Sequence, residues 1–189
     1  MSSTAAVAPP GPALLTAEEF VRRHAGERVE LVKGKLEPTM PGGTKHGDIC
    51  GNAYALIREW VKPTRRGVVC CNDTYVLTRR DPDGVRGADV VFWSLSRWPS
   101  GEKPDGIIDA PPDLVVEVKS PSDRWAEVTA KVGEYLLGGV GVVVVIDPKT
   151  ETATAHRADE FQQVFHNGDE FTLPDVLPGF AVPVARFFE

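Results

Sequence analysis

Glu117 and Lys119 lie inside an otherwise apolar stretch, PPDLVVEVKSPSD, from Pro111 to Asp123. Successive side chains of a strand point to opposite faces. Leu114, Val116 and Val118 therefore share one face, and Val115, Glu117 and Lys119 share the other. Residues two apart on one face are rooted roughly 7 Å from each other. A carboxylate placed there can hold a hard cation, and an ammonium beside it can hold or polarise a water. A solvated strand face would carry the same pair, so metal chemistry calls for a second carboxylate. Asp113 is the nearer one in sequence, but four residues of strand span about 13 Å, too far to share an ion with ligand bonds near 2 Å. Asp89 is the better partner. It lies near the start of a separate strand, ADVVFWS, after a Gly-rich turn. A paired strand is only about 5 Å away, so Asp89 can stand beside Glu117.

The elements around these residues follow from pattern. LTAEEFVRRHA predicts a short helix, with Thr16 and Glu19 in the T-x-x-E capping-box arrangement. RVELVKGKLEPT alternates around Lys33-Gly34 and predicts two strands joined by a tight turn, with Glu30 in the first. PGGTKHGDICGNAYALIREWVKP predicts a Gly-rich turn, then an amphipathic helix. Ile49, Ala53, Leu56, Ile57 and Trp60 recur at helical spacing, and Pro63 stops it. GVVCCNDTYVLTRR reads as one strand or a bent pair, and DPDGVRG as a turn cluster.

SRWPSGEKPDG reads as a loop. SDRWAEVTAKVGEYLLGG predicts a helix capped by Ser122 or Asp123 and ended at Gly138-Gly139. The run Val142 to Ile146 is apolar on both faces and predicts a strand buried in the middle of a sheet. The order strand, helix, strand from 114 to 146 predicts a right-handed βαβ crossover. Residues 151–189 read as meandering strands.

The 189 residues suit one domain over 16–189, preceded by a disordered Pro/Ala-rich tail over 1–15. That tail lacks the basic and apolar regions of a signal peptide, and no apolar run is long enough for a membrane span. The cysteines are Cys50, Cys70 and Cys71, an odd count with two adjacent. This fits a reducing cytoplasm better than a disulfide framework. No zinc-like pairing of histidine with cysteine is expected. The net charge of −6 argues against nucleic-acid binding over the whole surface. It leaves room for a local basic groove, or for an acidic site made favourable to phosphate by a divalent cation.

An acidic residue on one strand, E-x-K on the next, then a helix, is the pattern of the PD-(D/E)XK nucleases. The chain resembles a widespread bacterial family of restriction-endonuclease-like proteins within that superfamily. The matching pieces are VELVKGKL with Glu30, the Gly-rich turn leading to His46-Gly47, GADVVFW with Asp89, APPDLVVEVKSPSD with Glu117, and KVGEYLLGGVGVVVVIDP with Lys131 and Tyr135. The proline that precedes the first aspartate in the superfamily is Ala88 here.

The resemblance implies an α/β (α+β) restriction-endonuclease-like core: a mixed central sheet flanked by helices, with extra β-hairpins at both ends. It also implies Mg2+- or Mn2+-dependent hydrolysis of DNA phosphodiesters. Asp89 and Glu117 would be metal ligands, with the Val118 carbonyl as a third. Glu30 would add a second-metal ligand or orient a metal-bound water, and His46 and Tyr135 would contact substrate. Either Lys119 or Lys131 would supply the catalytic charge, since some relatives carry the lysine on the helix. Cleaving both strands of DNA implies a homodimer. A non-catalytic binding module, or a hydrolase of RNA or another phosphoester, would keep the same fold.

Overall fold

The computed structural model describes residues 14–189, so the expected tail lies outside the described residues up to residue 13. Helix α1 (Ala17–His24) opens with the predicted capping box: the Thr16 hydroxyl accepts from the Glu19 N–H, and the Glu19 carboxylate accepts from the Thr16 N–H. Strands β1 (Val29–Val32) and β2 (Lys35–Pro38) form the predicted hairpin. Lys33 and Gly34 both take positive φ, as a two-residue turn between twisted strands requires.

Helix α2 (Thr44–Thr64) presents Ile49, Ala53, Leu56, Ile57 and Val61 to the core. Pro63 lies within its last turn, and the chain leaves the helix at Arg65, in a left-handed conformation. Strand β3 (Gly67–Arg79) is one long strand with a bulge, and β4 (Gly84–Ser94) pairs antiparallel with nearly all of it. β4 starts four residues earlier than the sequence pattern suggests. The stretch Gly84–Gly87 is strand rather than turn, so Asp89 sits in the middle of β4 and not near its start. The turn chemistry is confined to Arg80–Asp83, and the strand begins as soon as Gly84 can pair with Arg79.

Strand β5 (Leu114–Val118), helix α3 (Trp125–Leu137) and strand β6 (Val142–Asp147) make the predicted crossover, with β5 and β6 parallel and paired from Leu114↔Val142 to Val118↔Ile146. The expected caps of α3 are displaced: its N-cap is Arg124, because Asp123 instead accepts from the Ser120 N–H at 2.7 Å. Strands β7 (Thr152–His156) and β8 (Gln163–His166) extend the sheet antiparallel. Strands β9 (Glu170–Thr172) and β10 (Ala181–Pro183) form a separate pair, followed by a 3-10 turn at Val184–Phe187.

The main sheet runs β2-β1-β4-β5-β6-β7-β8, with β3 on the remaining side of β4. Only β5–β6 is parallel among the described pairs. Two layers of core cover the sheet. On one face, α2 packs with Val90, Phe92, Leu114, Val116, Val118 and Val144. On the other, Val132 and Tyr135 of α3 pack with Ala88, Val91, Trp93, Val115 and Val143. β6 is buried over its whole length, which accounts for its unbroken apolar run. No helix among the described residues is long and apolar enough to cross a membrane.

Candidate functional site

One edge of β4 is shared by two strands. Val85 pairs with Leu31 of β1, and Val90 to Phe92 pair with β5, while β3 occupies the opposite edge throughout. Between these partners, from Arg86 to Asp89, β1 and β5 diverge and leave a fork. Buried backbone groups need partners, and here side chains take the place of the missing strand. The Gly87 N–H donates to Glu30 Oε1 at 2.9 Å, and the Gly87 carbonyl accepts from Lys131 Nζ at 3.0 Å. Among the described residues, no buried side-chain polar atom lacks a partner.

Glu117 enters the fork from the α3 face. Tyr135 donates to its Oε1 at 2.7 Å, and Lys131 Nζ lies 2.9 Å from its Oε2. Lys131 also reaches Glu30 at 3.4 Å. Lys131 and Tyr135 are four apart, so one turn of α3 aims both the same way. Arg86 closes the back of the cluster, bridging Glu30 and Glu134 at 2.8 Å each.

Asp89 enters from the α2 face. Ala88 and Val91 both pack in the α3 layer while Val90 packs in the α2 layer, so strict alternation fails at Asp89. The cause lies across the strand. The bulged pair Asn72-Asp73 of β3, both at positive φ, sits between the partners of Ala88 and Val90. A bulge twists the ladder locally and re-aims a side chain. Asp89 Oδ2 accepts from the Val118 N–H at 2.7 Å and lies 3.4 Å from His46 Nε2. The Val118 carbonyl leaves the strand on the same edge as its N–H, toward the fork.

His46 is held from two sides. Its Nδ1 is 3.4 Å from Cys50 Sγ, one helical turn along α2, and Gly42 packs against its ring so closely that a Cβ there would strike it. The Gly-rich turn is therefore needed for close approach. The absence of histidine–cysteine pairing expected from sequence is corrected here. His46, Cys50 and Asp89 offer ligand atoms that all lie within 4.8 Å of one another. The i, i+4 spacing of His46 and Cys50 carried the signal.

Charge in the fork is unbalanced. Glu30, Asp89, Glu117 and Glu134 face two permanent cations, Lys131 and Arg86. Burial pushes the Glu117 carboxyl up to about 7, and the charge of Asp89 adds to it, against Lys131 and Tyr135. Burial also acts to raise Glu30, but Lys131 and Arg86 outweigh it and hold Glu30 below its ordinary range. For Lys131, burial favours the neutral form, and the carboxylates of Glu117 and Glu30 overcome it and raise its pKa. The hydrogen bond to Asp89 raises His46. With Glu117 ionised and His46 neutral, the four carboxylates exceed the two permanent cations by two, the charge of one divalent cation. Oxygen donors from Asp89, Glu117 and the Val118 carbonyl are the chemistry such a hard ion takes.

The structure thus brings Glu30, Glu117, Lys131 and Tyr135 together on the α3 side of the fork, with Asp89 and His46 at its α2 side, near enough for the Asp89 charge to act on Glu117 and Lys131. Lys119 is not brought in. It follows the last residue of β5, its Nζ reaches the Ser120 carbonyl at 3.3 Å, and it lies over the Trp125 ring. Tyr135, expected to contact substrate, is fully buried, with its hydroxyl on Glu117 rather than at the surface. Arg86, Gly87, Glu134 and Cys50 were not anticipated. Arg86 and Gly87 fell in the stretch read as turn.

Comparison with known proteins gives a family and a fold. A family model described as "Uma2: Putative restriction endonuclease" matches residues 17–185. The crystal structure of a putative nuclease belonging to DUF820 from Anabaena variabilis matches with a TM-score of 0.76 and 23% identity, covering 92% of this chain and 97% of that one. At that identity the likeness establishes the fold, a mixed sheet flanked by helices. No curated protein matches the chain.

Proposed function

This chain belongs to the Uma2 family, and from that premise we propose that it is a divalent-metal-dependent endonuclease that hydrolyses DNA phosphodiester bonds. One observation carries the reading: a fork in the sheet where carboxylates outnumber cations and one half-buried lysine stands among them. Mg2+ or Mn2+ is the cofactor. Its ligands are Asp89, Glu117 and the Val118 carbonyl. When bound, such an ion lowers the pKa of water and offsets charge growing on phosphate.

The chain's own residues do the rest. Tyr135 and Lys131 fix both oxygens of Glu117, so the carboxylate is held in place before substrate arrives. Lys131, rather than Lys119, supplies the fixed positive charge beside the scissile phosphate, because it already lies within 3 Å of Glu117. Glu30 anchors Lys131 and the Gly87 backbone, and orients water at the fork. His46 flanks Asp89 where a phosphate oxygen would approach. Cleavage of both strands is assigned to a homodimer with two symmetry-related sites.

The test is incubation of purified protein with supercoiled plasmid in Mg2+ or Mn2+, comparing wild type with Asp89→Ala, Lys131→Met and Lys119→Ala. The expected result is cleavage by wild type and Lys119→Ala, and none by Asp89→Ala or Lys131→Met. Equal cleavage by all four proteins would identify a contaminant and overturn the reading. An RNA substrate in parallel distinguishes a ribonuclease.

A further inference from the structure

The triad on the α2 side of the fork has donors unlike those of the proposed hard-ion site. We infer that His46, Cys50 and Asp89 form a second site, which binds a thiophilic transition-metal cation such as Zn2+ or Cd2+ and, when filled, withdraws Asp89 from the fork. The donors are an imidazole nitrogen, a thiol sulfur and a carboxylate oxygen, all within 4.8 Å of one another. Sulfur and imidazole select borderline and soft cations over Mg2+. The separation of His46 Nε2 and Asp89 Oδ2, 3.4 Å, is that of two corners of a tetrahedral site. Metal–ligand bonds of about 2.1 Å set those corners roughly 3.4 Å apart.

The site is built rather than incidental. His46 and Cys50 project from successive turns of α2, an element packed in the core through Ile49 and Ala53. Gly42 backs the imidazole ring, and the Val118 N–H fixes the Asp89 carboxylate. Three protein donors leave a fourth position open to water, as in zinc sites that keep an open coordination position. Coordination forms a sulfur–metal bond and releases the Cys50 proton to solvent. Cys50 is a free thiol on the α2 face, whereas Cys70 packs in the α3 layer, away from His46.

Binding at this triad does not depend on the nuclease reading. Its consequence does, because Asp89 would serve both ions. Zn2+ at one equivalent would then suppress Mg2+-supported cleavage.

The experiment titrates Zn2+ against a chromophoric chelator and follows sulfur-to-cadmium charge-transfer absorption with Cd2+. The proteins are wild type, Cys50→Ser, His46→Asn and Cys70→Ser, each checked for folding by circular dichroism. Wild type and Cys70→Ser are expected to bind one Zn2+ per chain and to show the cadmium band. Cys50→Ser loses the band and, like His46→Asn, loses at least the roughly 10–100-fold in affinity that removing even an outer-shell partner costs. Absence of the band in wild type overturns the site, as does a band abolished by Cys70→Ser and kept by Cys50→Ser. Cys50-dependent Zn2+ binding without any Mg2+-supported cleavage would leave the site standing and remove the nuclease reading. Cleavage with Zn2+ affinity indifferent to Cys50 and His46 would do the reverse.

Discussion

Replacing Lys131 by methionine removes one positive charge from the fork and keeps most of the side-chain volume. The ammonium lies 2.9 Å from Glu117 and 3.4 Å from Glu30, and it donates to the Gly87 carbonyl. At an effective dielectric near 20, unit charges at those distances attract by roughly 6 and 5 kcal/mol. Desolvation cancels much of that attraction. Glu30 keeps Arg86, so what the substitution exposes is the cost of leaving the Glu117 carboxylate without its cation, about 3–5 kcal/mol. For a chain of this length that corresponds to a fall in Tm of roughly 6–20 °C.

Lys119→Met is the matched control. Its ammonium reaches only a carbonyl and an aromatic face, so its loss is expected to cost no more than about 1 kcal/mol. The assay is urea denaturation of wild type and both variants without divalent metal, repeated with saturating Mn2+. The surplus negative charge of the fork rises by one in Lys131→Met, so Mn2+ is expected to recover part of the lost stability. Equal losses for the two lysines would refute the assignment of Lys131 to the fork.

Further outcomes follow from the same geometry. Tyr135→Phe removes the donor to Glu117 Oε1 and is expected to cost about 1.5–3 kcal/mol by denaturant titration, as for hydrogen bonds to charged groups; a loss under about half a kcal/mol contradicts it. Gly42→Ala drives a Cβ into the His46 ring, so the His46 imidazole resonances are expected to move in a two-dimensional NMR spectrum; unmoved resonances would show the turn to be slack.

Asp83 accepts from the N–H groups of Ala17 and Asp81 and pairs with Arg80. Burial acts to raise its pKa, but these partners outweigh it and hold it below 3.8. Its contribution is therefore complete above the unfolded value and disappears as pH falls below about 3.8 through the lower folded value. Asp83→Ala is expected to cost about 1–2 kcal/mol at neutral pH and less in acid. A cost that does not shrink in acid contradicts the linkage.

Local rules were enough for much of the fold. The Thr16–Glu19 box and the Lys33-Gly34 turn rest on interactions within a few residues, and the unbroken apolar run of β6 marks its own burial; each stands where its pattern places it. Asp89 shows where such rules end. Its pairing with β5 follows from strand order, but its exit toward α2 depends on a bulge in β3, which is some sixteen residues away in sequence and adjacent only in the sheet. The two lysines show the same limit. Alternation puts Lys119 on the Glu117 face, but β5 ends at Val118 and the register of α3 brings Lys131 there instead. Arg86 and Gly87 were hidden for a different reason, since glycines that read as a turn here continue a strand.

The proposed activity stands on Asp89 and Glu117 holding one divalent cation in the fork. The most direct measurement is a crystal of the protein soaked in Mn2+, with the ion located by anomalous scattering. The expected result is a peak within roughly 2.5 Å of a carboxylate oxygen of each residue and of the Val118 carbonyl, with Lys131 still beside Glu117. A peak bound elsewhere, or none at millimolar Mn2+, would contradict it.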